Sequence, residues 1–114
     1  MSVPTFSLSV YLEMVFPMIM PRQLSGAHTH LYTKESLAWM EKEFGMKSIS
    51  TWWFGTDIVD MYRSFSVSLA NNPDCQEMVS SWQRLFEPLI DDLQLVIDKE
   101  RLSSEVHALY KLEV

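Results

Sequence analysis

The apolar residues of the N-terminal segment fall at helical spacing. Between residues 6 and 19, one helical face carries Leu8, Tyr11, Leu12, Val15, Phe16 and Ile19. Apolar and polar residues also alternate over the first half of this segment, a pattern that would fit a strand. We favour a helix that is capped by Thr5 or Ser7 and ends near Pro17, followed by a loop over 17–29.

The best-defined predicted element is a helix over 34–44. Thr33 is a favourable N-cap residue. Gly45 stands where a left-handed residue often ends a helix, and Met46 provides the apolar contact that usually follows such a glycine. Three apolar residues share one face of this helix: Leu37, Met40 and Phe44.

Two segments have the composition of strands. Residues 46–54 are dense in isoleucine, threonine and tryptophan, which predicts a strand buried on both faces and ended by Gly55. Residues 106–114 alternate between apolar and polar side chains, with His107 among the polar ones. This alternation predicts a strand with one face in solvent.

The segment between these strands has the spacing of amphipathic helices. The first helical face consists of Ile58, Met61, Tyr62, Phe65 and Leu69, and it stops before Asn71. Asn72 is then a cap and Pro73 opens a third helical segment. The face of that segment consists of Met78, Trp82, Leu85, Phe86, Leu89, Leu93, Val96 and Ile97. Pro88 lies inside it, and we expect a kink or a break there that leaves two helices.

These elements predict an α+β fold in which amphipathic helices pack on a small antiparallel sheet. A length of 114 residues is typical of a single domain, here 1–114. Two strands alone are only marginally stable in water, so the helices must cover the sheet.

Composition and charge indicate which binding partners and which cellular compartment we expect for this protein. The net charge is −6 and the nine basic residues do not cluster, which argues against a nucleic-acid partner. The single cysteine, Cys75, cannot form an internal disulfide, as expected for a cytoplasmic protein. The apolar run over 10–20 has no basic residue before it and contains Glu13 and Pro17. It therefore fits neither a secretory signal nor a membrane span.

The central part of the chain carries a family resemblance. His28-Thr29-His30-Leu31-Tyr32-Thr33 leads into the helix that stops at Gly45, and Trp52-Trp53-Phe54-Gly55-Thr56-Asp57 follows. This arrangement resembles the C-terminal half of class I S-adenosylmethionine-dependent methyltransferases. The resemblance implies that the histidine segment follows the fifth strand of a seven-stranded sheet. Residues 46–54 then resemble strand six, and 106–112 resemble strand seven, which is antiparallel to its neighbours. The helices between them resemble an insertion that covers the substrate mouth.

The cofactor side of that family has no counterpart in the sequence. Its members bind S-adenosylmethionine with a glycine-rich turn after strand one and an acidic residue that ends strand two, because the backbone must approach the ligand closely. The three glycines, Gly26, Gly45 and Gly55, are far apart. We therefore expect no cofactor to bind to this chain alone, and no activity of the isolated chain. The resemblance implies a substrate-side module, either a truncated relic or a piece completed by a separate cofactor-binding chain.

Two histidines and a tyrosine are the candidate site residues. The resemblance implies that His28, His30 and Tyr32 lie at the substrate mouth, where a histidine can remove a proton from an oxygen or nitrogen acceptor. In the structural alternative, which we favour, these loop residues hydrogen-bond to backbone. The two histidines also suggest a metal, but zinc needs further ligands, and His107 lies in a different strand. We therefore predict no metal site.

The remaining aromatic and charged residues have a structural interpretation. We predict that the aromatic run 52–54 is core rather than a stacking platform. Asp57 and Asp60 fit favourable charges at a helix start, whereas the acidic pair 91–92 and the charged run 98–101 fit solvated faces. The alternative function is a self-associating interaction module without a catalytic role, and we expect a homodimer with contacts from 6–19 and 46–54.

Overall fold

The computed structural model describes residues 1–19 and 30–113. They form an α+β fold in which helices pack on a small antiparallel sheet. The strands are β1 (Ser2–Pro4), β2 (Met46–Phe54) and β3 (Glu105–Leu112). The α-helices are α1 (Leu8–Val15), α2 (Lys34–Glu43), α3 (Asp57–Asn71), α4 (Val79–Phe86) and α5 (Ile90–Lys99). Single 3₁₀ turns, Gln76–Met78 and Glu87–Leu89, precede and follow α4. The α+β class is thus confirmed.

The sheet has the order β1-β3-β2, and β3 is antiparallel to both neighbours. Val106 of β3 is paired with Val3 on one side and Trp53 on the other. A bulge between Ser48 and Ser50 interrupts the pairing of β2 with β3. Strand β1 is not predicted by the sequence, because a three-residue strand is too short to show alternation.

The bounds predicted for β2 are confirmed, but its predicted burial on both faces is wrong. Within the described sheet, β2 pairs with β3 alone, so it lies at an edge. Helix α2 contacts one face of β2, where Trp53 is half-buried. On the other face Trp52 is 65% exposed, and Ile49 at the bulge is also exposed.

The N-terminal segment forms the favoured helix, α1. Ser7 is its N-cap, with the side-chain oxygen accepting from Ser9 N at 3.3 Å, and Phe16 is its C-cap, just before Pro17. The helix buries Val10 and Leu12. The predicted apolar face is nevertheless not buried throughout, because its members Tyr11 and Val15 are exposed. Most of the loop predicted over 17–29 lies outside the described residues.

Helix α2 begins and ends where the sequence predicts. Thr33 Oγ1 accepts from Ser36 N at 3.1 Å, and Ser36 Oγ accepts from Thr33 N at 2.8 Å, which completes a reciprocal cap. Gly45 follows the C-terminus with a φ of +60°. Leu37 is buried and Met40 is half-buried. The placement of Phe44 on the buried face is wrong, since its side chain is exposed.

Pro88 divides the third helical segment, as predicted. It lies in the 3₁₀ turn between α4 and α5, and the proline ring is compatible with the start of that turn. The segment begins later than expected, because Asn72 Oδ1 accepts from Asp74 N at 3.0 Å and forms a turn before Gln76. Much of the predicted apolar face is also exposed, including Leu85 and Val96.

Three of the seven buried apolar residues of the described chain form a small core between α2 and the sheet. They are Val3, Leu37 and Val106, with Tyr32, Met40 and Trp53 packed against them. A separate group of rings lies between α3 and α4, where Trp82 contacts Tyr62, Phe65 and Phe86. The radius of gyration is 17.1 Å. A compact domain of this length would have a radius of about 13 Å, so the fold is open.

The left-handed conformation of Gly45 gives a stability prediction. A Cβ at this position would meet only Glu113 O at 3.6 Å, an ordinary contact, so the cost of a side chain comes from the backbone. We expect Gly45→Val to reduce the free energy of unfolding by about 1 kcal/mol or more. Gly45→Asn is the control and should lose less, because asparagine tolerates this conformation. Urea unfolding measures both, and an unchanged midpoint for the valine variant would contradict the assigned helix end.

Candidate functional site

The ends of β1 and β2 meet at one edge of the sheet. Both strands are antiparallel to β3, so they run parallel to each other and their carboxyl ends lie on the same side. Thr5 N there donates to Ser104 O at 2.9 Å. Tyr32 joins the outer side of the first strand, where its backbone N donates to Pro4 O at 3.0 Å and its carbonyl accepts from Phe6 N at 2.9 Å. We call this region the strand-end edge.

The structure places one of the three predicted site residues firmly at this edge. The ring of Tyr32 is half-buried and packs against the core. His30 precedes it by two residues and is exposed. His28 lies outside the described residues. The positions of Tyr32 and His30 are therefore compatible with a site at the edge, and the role of either histidine as a base stays a prediction.

A buried carboxylate lies behind the strand-end edge. Asp57, the first residue of α3, has a relative exposure of 0%. Its Oδ1 accepts from Ser9 Oγ at 3.1 Å, and its Oδ2 accepts from Ser104 N at 3.1 Å and from Gln94 Nε2 at 3.3 Å. This carboxylate therefore connects α1, α3, α5 and the residue before β3.

Further hydrogen bonds extend this network along α5. Gln94 Oε1 accepts from Ile58 N at 3.0 Å, and Gln94 Nε2 also donates to Asp98 Oδ1 at 2.9 Å. Asp98 accepts from Ser103 Oγ, and Ser103 O accepts from Thr5 Oγ1. These hydrogen bonds therefore link Asp57 to Thr5 at the strand-end edge.

One sequence interpretation is confirmed here and another is wrong. Asp57 and Asp60 lie in the first turn of α3, as predicted, and the structure adds that both are buried. Asp98 is half-buried and hydrogen-bonded rather than solvated. The other members of the predicted solvated faces are exposed, as expected: Asp91, Asp92, Lys99, Glu100 and Arg101. The spacing of residues along α3 and α5 does not predict the hydrogen-bond network of Asp57, because its partners lie in four segments that are distant in sequence.

Gly55 permits the close approach of two elements in this network. A Cβ on Gly55 would lie 2.6 Å from Asp57 Oδ2, and it would also overlap the Ser104 hydroxyl. This explains a glycine at the end of β2. Although Gly55 stands between a strand and a helix, the adjacent space is filled by protein atoms. Gly45 lies at the other end of β2, and Gly26 lies outside the described residues.

The α2 face of the sheet contains a cleft. A cavity of about 290 Å³ lies beside Tyr32, and one of about 600 Å³ extends along α2. Lys34, Trp53 and Arg101 line both cavities. At the far end of the larger cavity, burial raises the pKa of the Tyr110 hydroxyl, and the adjacent Glu41 carboxylate raises it further.

The opposite face of the sheet carries an open aromatic group. The ring of Phe54 lies 4.9 Å from Trp52 and 4.7 Å from His107 between ring centroids. His107 is exposed, as its place in the alternation of β3 predicts. The prediction that Trp52 is core is wrong, because the described residues leave this face largely uncovered. Trp53, in contrast, points toward the core.

No function is assigned by the metal-ligating groups or helices of the described residues, or by similarity to known proteins. In the part of the chain that the structure describes, no group of three or more histidine, cysteine, aspartate or glutamate side chains is placed to hold a metal ion. None of the helices within the described ranges is long and apolar enough to cross a bilayer. Comparison of the chain with protein-family models, curated proteins and solved structures gives no match.

The Asp57 network gives the second prediction. Asp57→Ala leaves donors from Ser9, Gln94 and Ser104 without their acceptor, and each unsatisfied buried group costs about 1–3 kcal/mol. We expect the free energy of unfolding to fall by about 3 kcal/mol or more. Asp91→Ala removes an exposed carboxylate from the first turn of α5 and should change stability by less than about 0.5 kcal/mol. Chemical denaturation of both variants checks this prediction. Equal losses in the free energy of unfolding would show that the hydrogen bonds of Asp57 do not stabilise the fold more than an exposed carboxylate does.

Proposed function

We propose that the chain is the substrate-side module of an S-adenosylmethionine-dependent methyltransferase, inactive alone and completed by a separate cofactor-binding chain. The observation that carries this proposal is the position of β3, which lies antiparallel between two parallel strands. In the family that the sequence resembles, the closing strand is antiparallel to its neighbours. Strand β1 precedes the histidine segment, as strand five does in that family, and we propose that β2 corresponds to strand six.

The strand-end edge supports the same proposal. In open α/β sheets, ligands bind outside the carboxyl ends of parallel strands. Tyr32 lies at this edge, and the histidine segment leads into it. We propose that a methyl acceptor approaches here, with His28 or His30 able to remove its proton.

Exposed apolar side chains support the proposal that the chain needs a partner. Trp52 and Leu109 are exposed on one face of the sheet, and Tyr11 and Met14 are exposed on α1. Exposed apolar surface of this kind on a small domain is typical of an interaction site. A partner chain that covers it would supply the apolar burial that the described fold lacks.

The third prediction concerns cofactor binding. We expect isothermal titration calorimetry of the purified chain with S-adenosylmethionine to give no saturable heat. The reason is that Gly55 is enclosed by Ser104 and Asp57, and neither it nor Gly45 belongs to a glycine-rich turn. A dissociation constant in the micromolar range, about −8 kcal/mol, would contradict the proposed absence of a cofactor side. A titration of S-adenosylmethionine into buffer is the control for heats of dilution.

A second candidate function, a self-associating interaction module, is favoured by the edge position of β2. This strand is nine residues long and exposes Ile49 and Trp52. A long apolar edge strand is a template for pairing with another chain. Two copies could pair their β2 edges about a two-fold axis, with α1 as a further contact.

The fourth prediction tests this alternative. Light scattering over a tenfold dilution series should report twice the 13.3 kDa chain mass at the concentrated end. Trp52→Ser should weaken the association, because it removes an apolar side chain from the edge strand. Trp39→Ser is the matched control, since Trp39 is 60% exposed on α2 and Trp52 is 65% exposed on β2. A constant monomer mass, with tryptophans shielded from acrylamide quenching, would contradict both the dimer and the uncovered surface.

A further inference from the structure

Two basic side chains and an indole line the cleft on the α2 face of the sheet. Lys34, Trp53 and Arg101 border the cavities of about 600 Å³ and 290 Å³. Trp53 and Arg101 also border a third cavity, of about 370 Å³, on the side of α5. Small-molecule sites typically have volumes of about 300–1,000 Å³, so the larger cavity is of suitable size.

Arg101 has a backbone conformation that is unfavourable for a residue with a side chain. Its φ is +57°, in the left-handed region. It follows α5 at the position where glycine is common, and its N donates to Asp98 O at 3.1 Å while Leu102 N donates to Ile97 O at 3.0 Å. A glycine would satisfy this turn without strain. An unfavourable backbone conformation in a residue that borders a cavity indicates that its side chain has a role there.

Lys34 contributes a second basic side chain to the cleft that Arg101 lines. Its Nζ donates to the carbonyl oxygen of Glu100 at 3.1 Å, so the ammonium lies next to the peptide that joins Glu100 to Arg101. Neither Lys34 nor Arg101 forms an ion pair with a carboxylate of the described residues. The Glu35 carboxylate interacts electrostatically with Lys34 and also lines the smaller cavity.

The one acidic residue that lines the larger cavity already has a partner. Glu41 lies beside Tyr110 at the end of the cleft, where its carboxylate adds to the effect of burial in raising the pKa of the Tyr110 hydroxyl. Ser48, Ser50 and Thr51 line the cavity on the side of β2. The cleft therefore combines an aromatic wall, residues with neutral hydroxyl groups and two basic side chains.

We propose that this cleft binds a small aromatic carboxylate. The ring would stack on Trp53, and the carboxylate would accept hydrogen bonds from the Arg101 guanidinium and the Lys34 ammonium. Guanidinium groups bind carboxylates in a bidentate manner, and offset stacking on an indole is favourable for a planar ring. This site is independent of the proposed methyltransferase relationship, because it uses neither the histidine segment nor the cofactor.

Titration of the ¹⁵N-labelled chain by NMR tests the site, with 2-naphthoate as the probe. We expect saturable shifts of the Trp53 indole N–H and of the Lys34 and Arg101 amides. The neutral analogue 2-naphthamide should bind at least about tenfold more weakly, since it lacks the charge, a difference of about 1.4 kcal/mol. Absence of saturable shifts, or equal binding of the two probes, would overturn the proposal.

The variant Arg101→Gly separates binding from stability. Because glycine adopts the left-handed conformation without strain, the melting temperature should stay the same or rise, while the affinity for 2-naphthoate falls at least about tenfold. Arg84→Gln is the charge-matched control, because Arg84 is exposed on α4 and does not line the cleft. Unchanged affinity in Arg101→Gly, or an equal loss in Arg84→Gln, would show that the guanidinium does not recognise the probe.

Discussion

The buried carboxylate of Asp57 is the interaction on which the arrangement of the helices depends. A desolvated charge costs several kcal/mol unless it is hydrogen-bonded, and the donors assigned to Asp57 are neutral groups from Ser9, Gln94 and Ser104. The N-terminus of α3 adds a favourable partial positive charge. Because these donors come from separate segments, α1, α5 and the start of β3 must take one position relative to α3. Gly55 is required for the same approach.

Few apolar side chains of the described residues are fully buried. Among the described residues, nine polar or charged residues are buried but only seven apolar ones. Apolar burial is the main favourable term in folding, so a fold with this balance gains little from its own core. The exposed faces of α1 and the sheet carry apolar residues that a partner would bury. Both proposed functions, completion by a second chain and self-association, follow from this imbalance.

The strand-end edge and the aromatic-carboxylate cleft adjoin each other. The cavity of about 290 Å³ is bordered by Tyr32 on the side of the edge and by Lys34 and Arg101 on the side of the cleft. Trp53 forms part of the wall and also packs on the core. A ligand in the cleft would therefore lie close to the place proposed for a methyl acceptor. Its binding would depend on the packing of α2, which carries Lys34, against β2.

The sequence by itself determined the elements whose stereochemistry is local. Thr33 and Gly45 define α2, Pro88 separates α4 from α5, and composition alone located β2. The sequence also named Tyr32 as a candidate site residue, through its motif, and that role stays a prediction. Only the tertiary structure decided the three-residue β1, the burial of Asp57, the exposure of Trp52 and the left-handed Arg101. These features depend on contacts between residues distant in sequence, and a local pattern of apolar and polar side chains carries no information about which distant backbone or donor will meet them.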